Sequence, residues 1–293
     1  MGIALDGIPV AVLGGDAREY IVVQWLLKAG ANVLLVGYEH AQFPQCPHVS
    51  LKEAIASSRV FVAPMSNTDQ RGRIKAVPDG SVIMLDAEGL SGVLSGSLLI
   101  IGYAQPVVRS AAQQLCIHLV ELAEDDAVAI LNSIPTAEGA VALAMEKLPI
   151  TIHGCKAVVL GFGRCAQTLA RVLHSLGART TVVARNTGQQ ARAQEMGVVA
   201  CGFEGLYDAV IDADVVFNTV PALVLTESVL TRMNPDTLVI DIASSPGGTD
   251  FKAAERLGIE AILALGLPGK VAPKTAGEIM AQGVMRAIRD YLS

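Results

Sequence analysis

The segment VVLGFGRCAQTLA at 158–170 constrains this chain more than any other. An apolar run of strand length meets a glycine turn, and a helix-length stretch begins directly behind it. Gly161, Gly163 and Ala166 fall on the spacing G-x-G-x-x-G/A. Between a strand and a helix, each position has a physical task. Gly161 permits the tight turn, Gly163 lets a pyrophosphate approach the backbone, and Ala166 keeps helix and strand close. The helix N-terminus adds N–H donors and positive potential. Gly161, Phe162, Gly163, Arg164, Cys165 and Ala166 therefore read as a dinucleotide site. The competing reading is a glycine turn needed only for packing.

The following strand ends Val183-Ala184-Arg185-Asn186. An NAD-specific site places Asp or Glu near here to accept from the ribose 2′-hydroxyl. Arg185 offers a cation instead, suited to the 2′-phosphate of NADP, with Asn186 beside it. A solvated surface arginine is the alternative.

A chain of 293 residues exceeds the usual size of one domain, so two are expected. The first reads as strand 9–14, helix 17–29 and strand 32–37, with further apolar strands at 59–64 and 81–86. A helix at 108–124 leads to the apolar run AVAILN at 127–132, and Pro135 opens a long helix ending near Lys147. The second unit follows as strand 157–161, helix 164–176, strand 180–184, helix 187–196 and strands at 215–220, 237–243 and 261–265. The expectation is two Rossmann-like α/β domains with parallel sheets flanking a cleft. A substrate domain spans 1–130, a linking helix 131–150 and an NADP-binding domain 151–274; the C-terminal helix 275–293 joins the first domain.

Composition supports buried parallel strands: 52% of residues are hydrophobic and 17% charged, with a mean hydropathy of +0.47. A net charge of −6 without a Lys/Arg run argues against nucleic acid. The apolar stretch at 91–104 is glycine-broken and too short to span a membrane. No signal peptide opens the sequence, so a cytoplasmic location is expected. Five cysteines, odd in number and widely spaced, read as reduced small hydrophobes; no metal site is expected. The five histidines are read as structural or exposed, with His118 and His174 inside predicted helices.

The first turn, VAVLGGDAR at 10–18, looks like a second dinucleotide loop but lacks the third glycine and sets Asp16 at the helix start. A carboxylate there occupies the donors a pyrophosphate would need. Gly14, Gly15 and Asp16 either face a substrate or cap the helix. Asn218, Thr219, Val220 and Pro221 follow a strand, where α/β sheets put ligand contacts. So do Ala243, Ser244 and Ser245 in DIASSPGGTD, and Gly266 ahead of Lys270, Lys274 and Thr275. The two lysines beside a helix start suit a carboxylate, or are simply solvated. Ser133 and Thr136 either contact ligand from the hinge side or cap a helix.

LNSIPTAEG at 131–139, GFGRCA at 161–166, DIASSPGGTDF at 241–251 and GLPGKVAPKTAG at 266–277 resemble, in order and spacing, the family of dipicolinate synthase A subunits from endospore-forming bacteria. The resemblance covers nearly the whole chain. It implies a fold similar to D-2-hydroxyacid dehydrogenases and S-adenosylhomocysteine hydrolase. It also implies NADP-linked oxidation of a dihydrodipicolinate-level intermediate to dipicolinate during sporulation, in the mother cell. The implied partner is a flavoprotein-like B subunit, and a homo-oligomer is expected. On this reading Lys274 and Ser244 or Ser245 bind one carboxylate, while Asp16, Ser66, Asn67 and Thr68 line the opposite wall. If the substrate is the 4-hydroxy precursor, loss of water needs an acid or base, for which Glu138 or Lys274 is the candidate. Three other readings remain open: another NADP reductase of this architecture, such as one like shikimate dehydrogenase; a non-catalytic NADP-binding subunit; and a redox-neutral use of the cofactor.

Overall fold

A computed structural model describes residues 4–65 and 68–293. The chain divides into two compact units, Met1–Leu131 with Ala272–Ser293, and Asn132–Val271.

The first unit is built on β1 (Pro9–Leu13), α1 (Ala17–Lys28), β2 (Asn32–Val36), α2 (Leu51–Ser57), β3 (Val60–Val62), β4 (Leu98–Ile101), α3 (Pro106–Gln114) and β5 (His118–Glu121). All strand pairings are parallel, in the order β2-β1-β3-β4-β5. Counted locally this is 2-1-3-4-5, the flavodoxin-like order, whose direction reverses between β1 and β3. Strands buried on both faces need apolar residues at every position, and β1, β3 and β4 supply them.

One face of this sheet packs on α1 and on the last helix of the chain, which contributes Ile279, Met280, Val284 and Ile288 to the same core as Val22, Val23 and Leu26. The other face is closed by Ala54, Ile55, Val108 and Ala112.

The second unit continues from α4 (Asp126–Lys147), which begins in the first unit, through β6 (Lys156–Leu160), α5 (Arg164–Ser175), β7 (Arg179–Val183), α6 (Thr187–Glu195), β8 (Val199–Cys201) and α7 (Leu206–Ile211). It ends with β9 (Val215–Asn218), α8 (Glu227–Leu230), β10 (Leu238–Asp241), α9 (Phe251–Leu257), β11 (Ala261–Leu263) and α10 (Leu267–Val271). Its parallel sheet has the order β11-β10-β9-β6-β7-β8. Locally this is 3-2-1-4-5-6, the dinucleotide-binding order, with its switch between β6 and β9. α11 (Pro273–Leu292) then returns to the first unit.

Several elements differ from the sequence reading. Residues 108–124 are not one helix: α3 stops at Gln114, Cys116 takes φ +53°, and β5 pairs with β4. His118 is therefore in a strand. The open edge of β4 decides this, because the local apolar pattern fits either state. No strand forms at 81–86; that stretch makes a single antiparallel bridge, Arg73 to Met84, and the fourth strand is LLII at 98–101. AVAILN at 127–132 and Pro135 lie inside α4, which starts at Asp126 rather than at the proline. Ser133 and Thr136 are thus mid-helix and cap nothing. α4 is the one described helix long and apolar enough to cross a membrane. Its residues Ala137, Ala140, Val141 and Ala144 are buried in the second unit's core.

Gly277 shows how closely α11 approaches α1. A Cβ there would lie 2.8 Å from Ile21 and 2.9 Å from the Arg18 carbonyl oxygen. Alanine gains about 1 kcal/mol over glycine in a helix interior, while overpacking costs about 1–3 kcal/mol. Gly277→Ala is therefore expected to lower stability by up to about 2 kcal/mol in chemical denaturation, against the helix-propensity trend.

Candidate dinucleotide site and the first glycine turn

The two strand–turn–helix units differ in what holds the helix N-terminus. In the second unit, Gly161 takes φ +91°, and a Cβ there would meet the Thr219 hydroxyl oxygen at 2.5 Å and Val220 Cγ2 at 3.0 Å. Glycine is needed at this position for both space and conformation. The Thr219 hydroxyl donates to the Leu160 carbonyl (2.7 Å), tying the ends of β6 and β9 together at the switch point. Gly163 is the N-cap of α5, is exposed, and has nothing within 4 Å of where a Cβ would stand. No side chain caps this helix. Packing therefore does not explain Gly163, and the first-turn amides of α5 beside it are left without a side-chain cap. Phe162 and Ala166 are buried beneath the turn, and burial pushes the Cys165 thiol up in pKa.

Arg185 stands exposed just beyond β7, with no ion pair among the described residues. Asn186 caps α6 by accepting from the Gln189 amide (2.9 Å).

Asp241 organises the loops that follow β9 and β10. It is fully buried, and its carboxyl oxygens accept from Asn218 Nδ2 (3.0 Å), the Ala243 amide (3.0 Å), the Gly248 amide (2.8 Å) and the Thr249 hydroxyl (2.7 Å). Asn218 also bonds the backbone of Val220 through both ends of its amide. These side-chain bonds replace ladder bonds, which is why β9 stops at Asn218 and β10 at Asp241, two residues before the ends predicted for them. Ser244 and Ser245 are presented outward from the loop so formed, as is Pro221 from the β9 loop. The sequence reading places Asp241 within its motif without giving it a task. A carboxylate ending a buried strand ahead of two glycines was the available signal.

The first unit's turn is closed. Gly14 (φ +60°) and Gly15 (φ +130°) abut the 74–77 segment, and the Gly15 amide donates to the Ala76 carbonyl (2.8 Å). Asp16 caps α1 by accepting from the Arg18 amide (3.0 Å), and it forms a two-pronged ion pair with the Arg18 guanidinium at 2.9 and 2.7 Å. Burial pushes the Asp16 carboxyl up, but the Arg18 bonds and charge outweigh it and hold it below the usual range. Glu19 completes the capping box from a fully buried position.

The remaining predicted residues are dispersed. Thr68 is buried, while Ser66 and Asn67 lie outside the described residues. The Ser133 hydroxyl meets that of Thr168, and the Thr136 hydroxyl donates to the Asn132 carbonyl within α4 (2.7 Å); Glu138 is exposed. Lys270 is exposed in the last turn of α10, not at a helix start, in the second unit. Gly266 precedes that helix with φ +68°. Lys274 and Thr275 are exposed in the first turn of α11, in the first unit, behind Pro273, and no side chain caps that turn. Among the described residues no cluster of three metal-ligating side chains occurs.

A parallel sheet of order 3-2-1-4-5-6 with an uncapped glycine turn at its switch point defines a dehydrogenase-type unit for a nicotinamide cofactor. Residues 136–246 match the family model of the D-isomer specific 2-hydroxyacid dehydrogenase NAD binding domain, and residues 9–123 match that of the N-terminal domain of the dipicolinate synthase A subunit. The A subunit of dipicolinate synthase from Bacillus subtilis (strain 168) is 38% identical over 290 residues, spanning 98% of this chain and 97% of the relative. Crystal structures of the A subunits from Bacillus halodurans and Bacillus subtilis superpose with a TM-score of 0.92 each, at 36% and 38% identity. The first covers 99% of both chains, the second 99% of this chain and 98% of the other. A transhydrogenase from Sinorhizobium meliloti shares the fold at 14% identity and TM-score 0.68, over 96% of this chain and 93% of its own. The chain belongs to the family of dipicolinate synthase A subunits.

Because nothing packs against Gly163, Gly163→Val is expected to cost no more than the loss of a favourable N-cap residue, about 1 kcal/mol of stability. It should weaken dinucleotide binding by at least about tenfold, or ~1.4 kcal/mol. Thermal unfolding and titration calorimetry of the same preparation would separate the two effects.

Proposed function

We propose that this chain is the NADP-binding, dehydrogenating subunit of a dipicolinate synthase, oxidising a dihydrodipicolinate-level intermediate to pyridine-2,6-dicarboxylate during sporulation. The observation that carries this reading is the open, uncapped turn at Gly163 together with the unpaired Arg185 at the end of β7.

The residues fit the cofactor. The α5 amides and Gly163 would hold the pyrophosphate, Arg185 and Asn186 the 2′-phosphate, and Thr219, Val220 and Ala243 the nicotinamide side. When bound, NADP accepts a hydride from the substrate ring while a proton leaves to solvent, so dihydrodipicolinate and NADP yield dipicolinate, NADPH and a proton.

Gaining aromaticity makes this loss downhill, so the protein has chiefly to hold a dianion in place. Exposed Lys274 and the uncapped start of α11 supply a cation and donors for a carboxylate in the first unit, and Ser244 and Ser245 supply hydroxyls in the second. If water must also be lost, exposed Glu138 and Lys274 are the candidate acid and base. A flavoprotein-like B subunit is the proposed partner, and the mother-cell cytoplasm the proposed location.

Purified chain mixed with NADP and freshly made dihydrodipicolinate synthase product, with and without the B subunit, tests this directly. Dipicolinate and NADPH are expected to form in equal amounts. Formation only with the partner makes the catalyst a shared one, and absence of NADPH in both mixtures favours a non-catalytic nucleotide-binding role. Arg185→Ala is expected to weaken NADP by at least about tenfold, ~1.4 kcal/mol, while NAD is unaffected; equal loss for both would remove the 2′-phosphate role.

A further inference from the structure

The switch point of the first unit lies between β1 and β3, and one side chain spans it. Glu19, in the first turn of α1 behind the exit of β1, is fully buried. Its Oε2 accepts from the Asp16 amide at 2.6 Å and its Oε1 from the Met65 amide at 2.9 Å, three residues beyond the end of β3. Gly15 is glycine because Glu19 fills its space: a Cβ there would lie 2.4 Å from Glu19 Cγ. On the other side of the turn, the buried Tyr38 hydroxyl donates to the Gly14 carbonyl at 2.7 Å.

We propose that Glu19, as a carboxylate, is the positioning residue that locks the exit of β3 to the Gly14–Gly15 turn, and so sets the first unit's substrate-facing edge. The proposal rests on the functional reading above, extended by the sequence expectation that Asp16 and Thr68 line one wall of the substrate site.

Both acceptors are needed at once. A carboxylate offers an acceptor at each oxygen, whereas a carboxylic acid turns one of them into a donor that opposes an N–H. Protonation therefore releases either the cap or Met65. The groups acting on Glu19 are Asp16 and Arg18 on its own element, with Tyr20 there and Tyr38 beyond β2 feeling its charge. The β3 exit contributes the Met65 amide, and α11 faces this part of α1 with Gly277. Burial, reinforced by the charge of Asp16 and only partly offset by Arg18 and the two amides, pushes the carboxyl up to about 7.

This titration acts with opposite signs on order and on stability. Because the folded pKa lies above the ordinary 4.5, the group's contribution to stability is complete below about 4.5 and is lost as pH rises through about 7. The Met65 bond is firmest above that pH. The edge is thus held by an ion the fold would prefer to protonate.

Hydrogen exchange of the unmodified protein across pH values on either side of about 7, corrected for intrinsic rates, should show protection at Met65 falling as pH drops through that point. Protection that does not change over this range would overturn the proposal. With the enzyme turning over, kcat/KM should fall about tenfold per pH unit below the same point. Glu19→Gln keeps one acceptor of the two, so it should show no such limb and a reduced kcat on the alkaline side. A Glu19→Gln enzyme that retains the limb also sinks the idea. Absence of turnover in the parent protein would instead count against the functional reading, while the exchange measurement still decides the role of Glu19.

Discussion

The first amides of an α-helix have no partner within the helix, and the two units meet that demand in different ways. In α1 the protein meets it internally, with Asp16 and Glu19 as cap and counter-cap and Arg18 neutralising the exposed carboxylate. In α5 no side chain does so, and the residue in the capping position is a glycine with open space around it. The same local architecture of strand, glycine turn and helix is thus self-contained in one unit and receptive in the other. What separates them is two acidic side chains and the backbone room they fill or leave.

Asp241 extends this logic to the far side of the nucleotide unit's switch point. By accepting four hydrogen bonds it ends β10 and, with Asn218, holds the two loops that leave the sheet beside Gly161. The glycine at 161, the hydroxyl at 219 and the carboxylate at 241 form one continuous support, so the receptive turn stands on a stiff base.

Much of this was legible in the sequence. The order of strand and helix signals indicated α/β architecture, and the 158–170 segment located the strand–glycine turn–helix at the switch point, where Gly161 carries a requirement that no other residue meets. The cap at Asp16 was one of two readings the residues allowed. Less was legible where a residue's task depends on a partner far along the chain. The sequence gives Glu19 no signal beyond its place in a first turn; only the fold brings Met65 to it. The helix start at Asp126 and the strand at His118 were hidden because short apolar runs suit either secondary structure until a sheet edge or a core selects one. Asp241 reads as a strand residue until the donors from 218, 243, 248 and 249 converge on it.

The return of α11 has a consequence for how the chain comes off the ribosome. The second unit, Asn132–Val271, is continuous in sequence, while the first is split and takes Ile279, Met280, Val284 and Ile288 into its core from the far end. During synthesis the nucleotide unit has all its residues before the first unit has its last helix. Until then one face of the first unit's sheet stays uncovered beside α1, with Val22, Val23 and Leu26 lacking their partners. The unit begun first is thus the one finished last, and emergence of α11, rather than of the N-terminal strands, sets when it becomes whole.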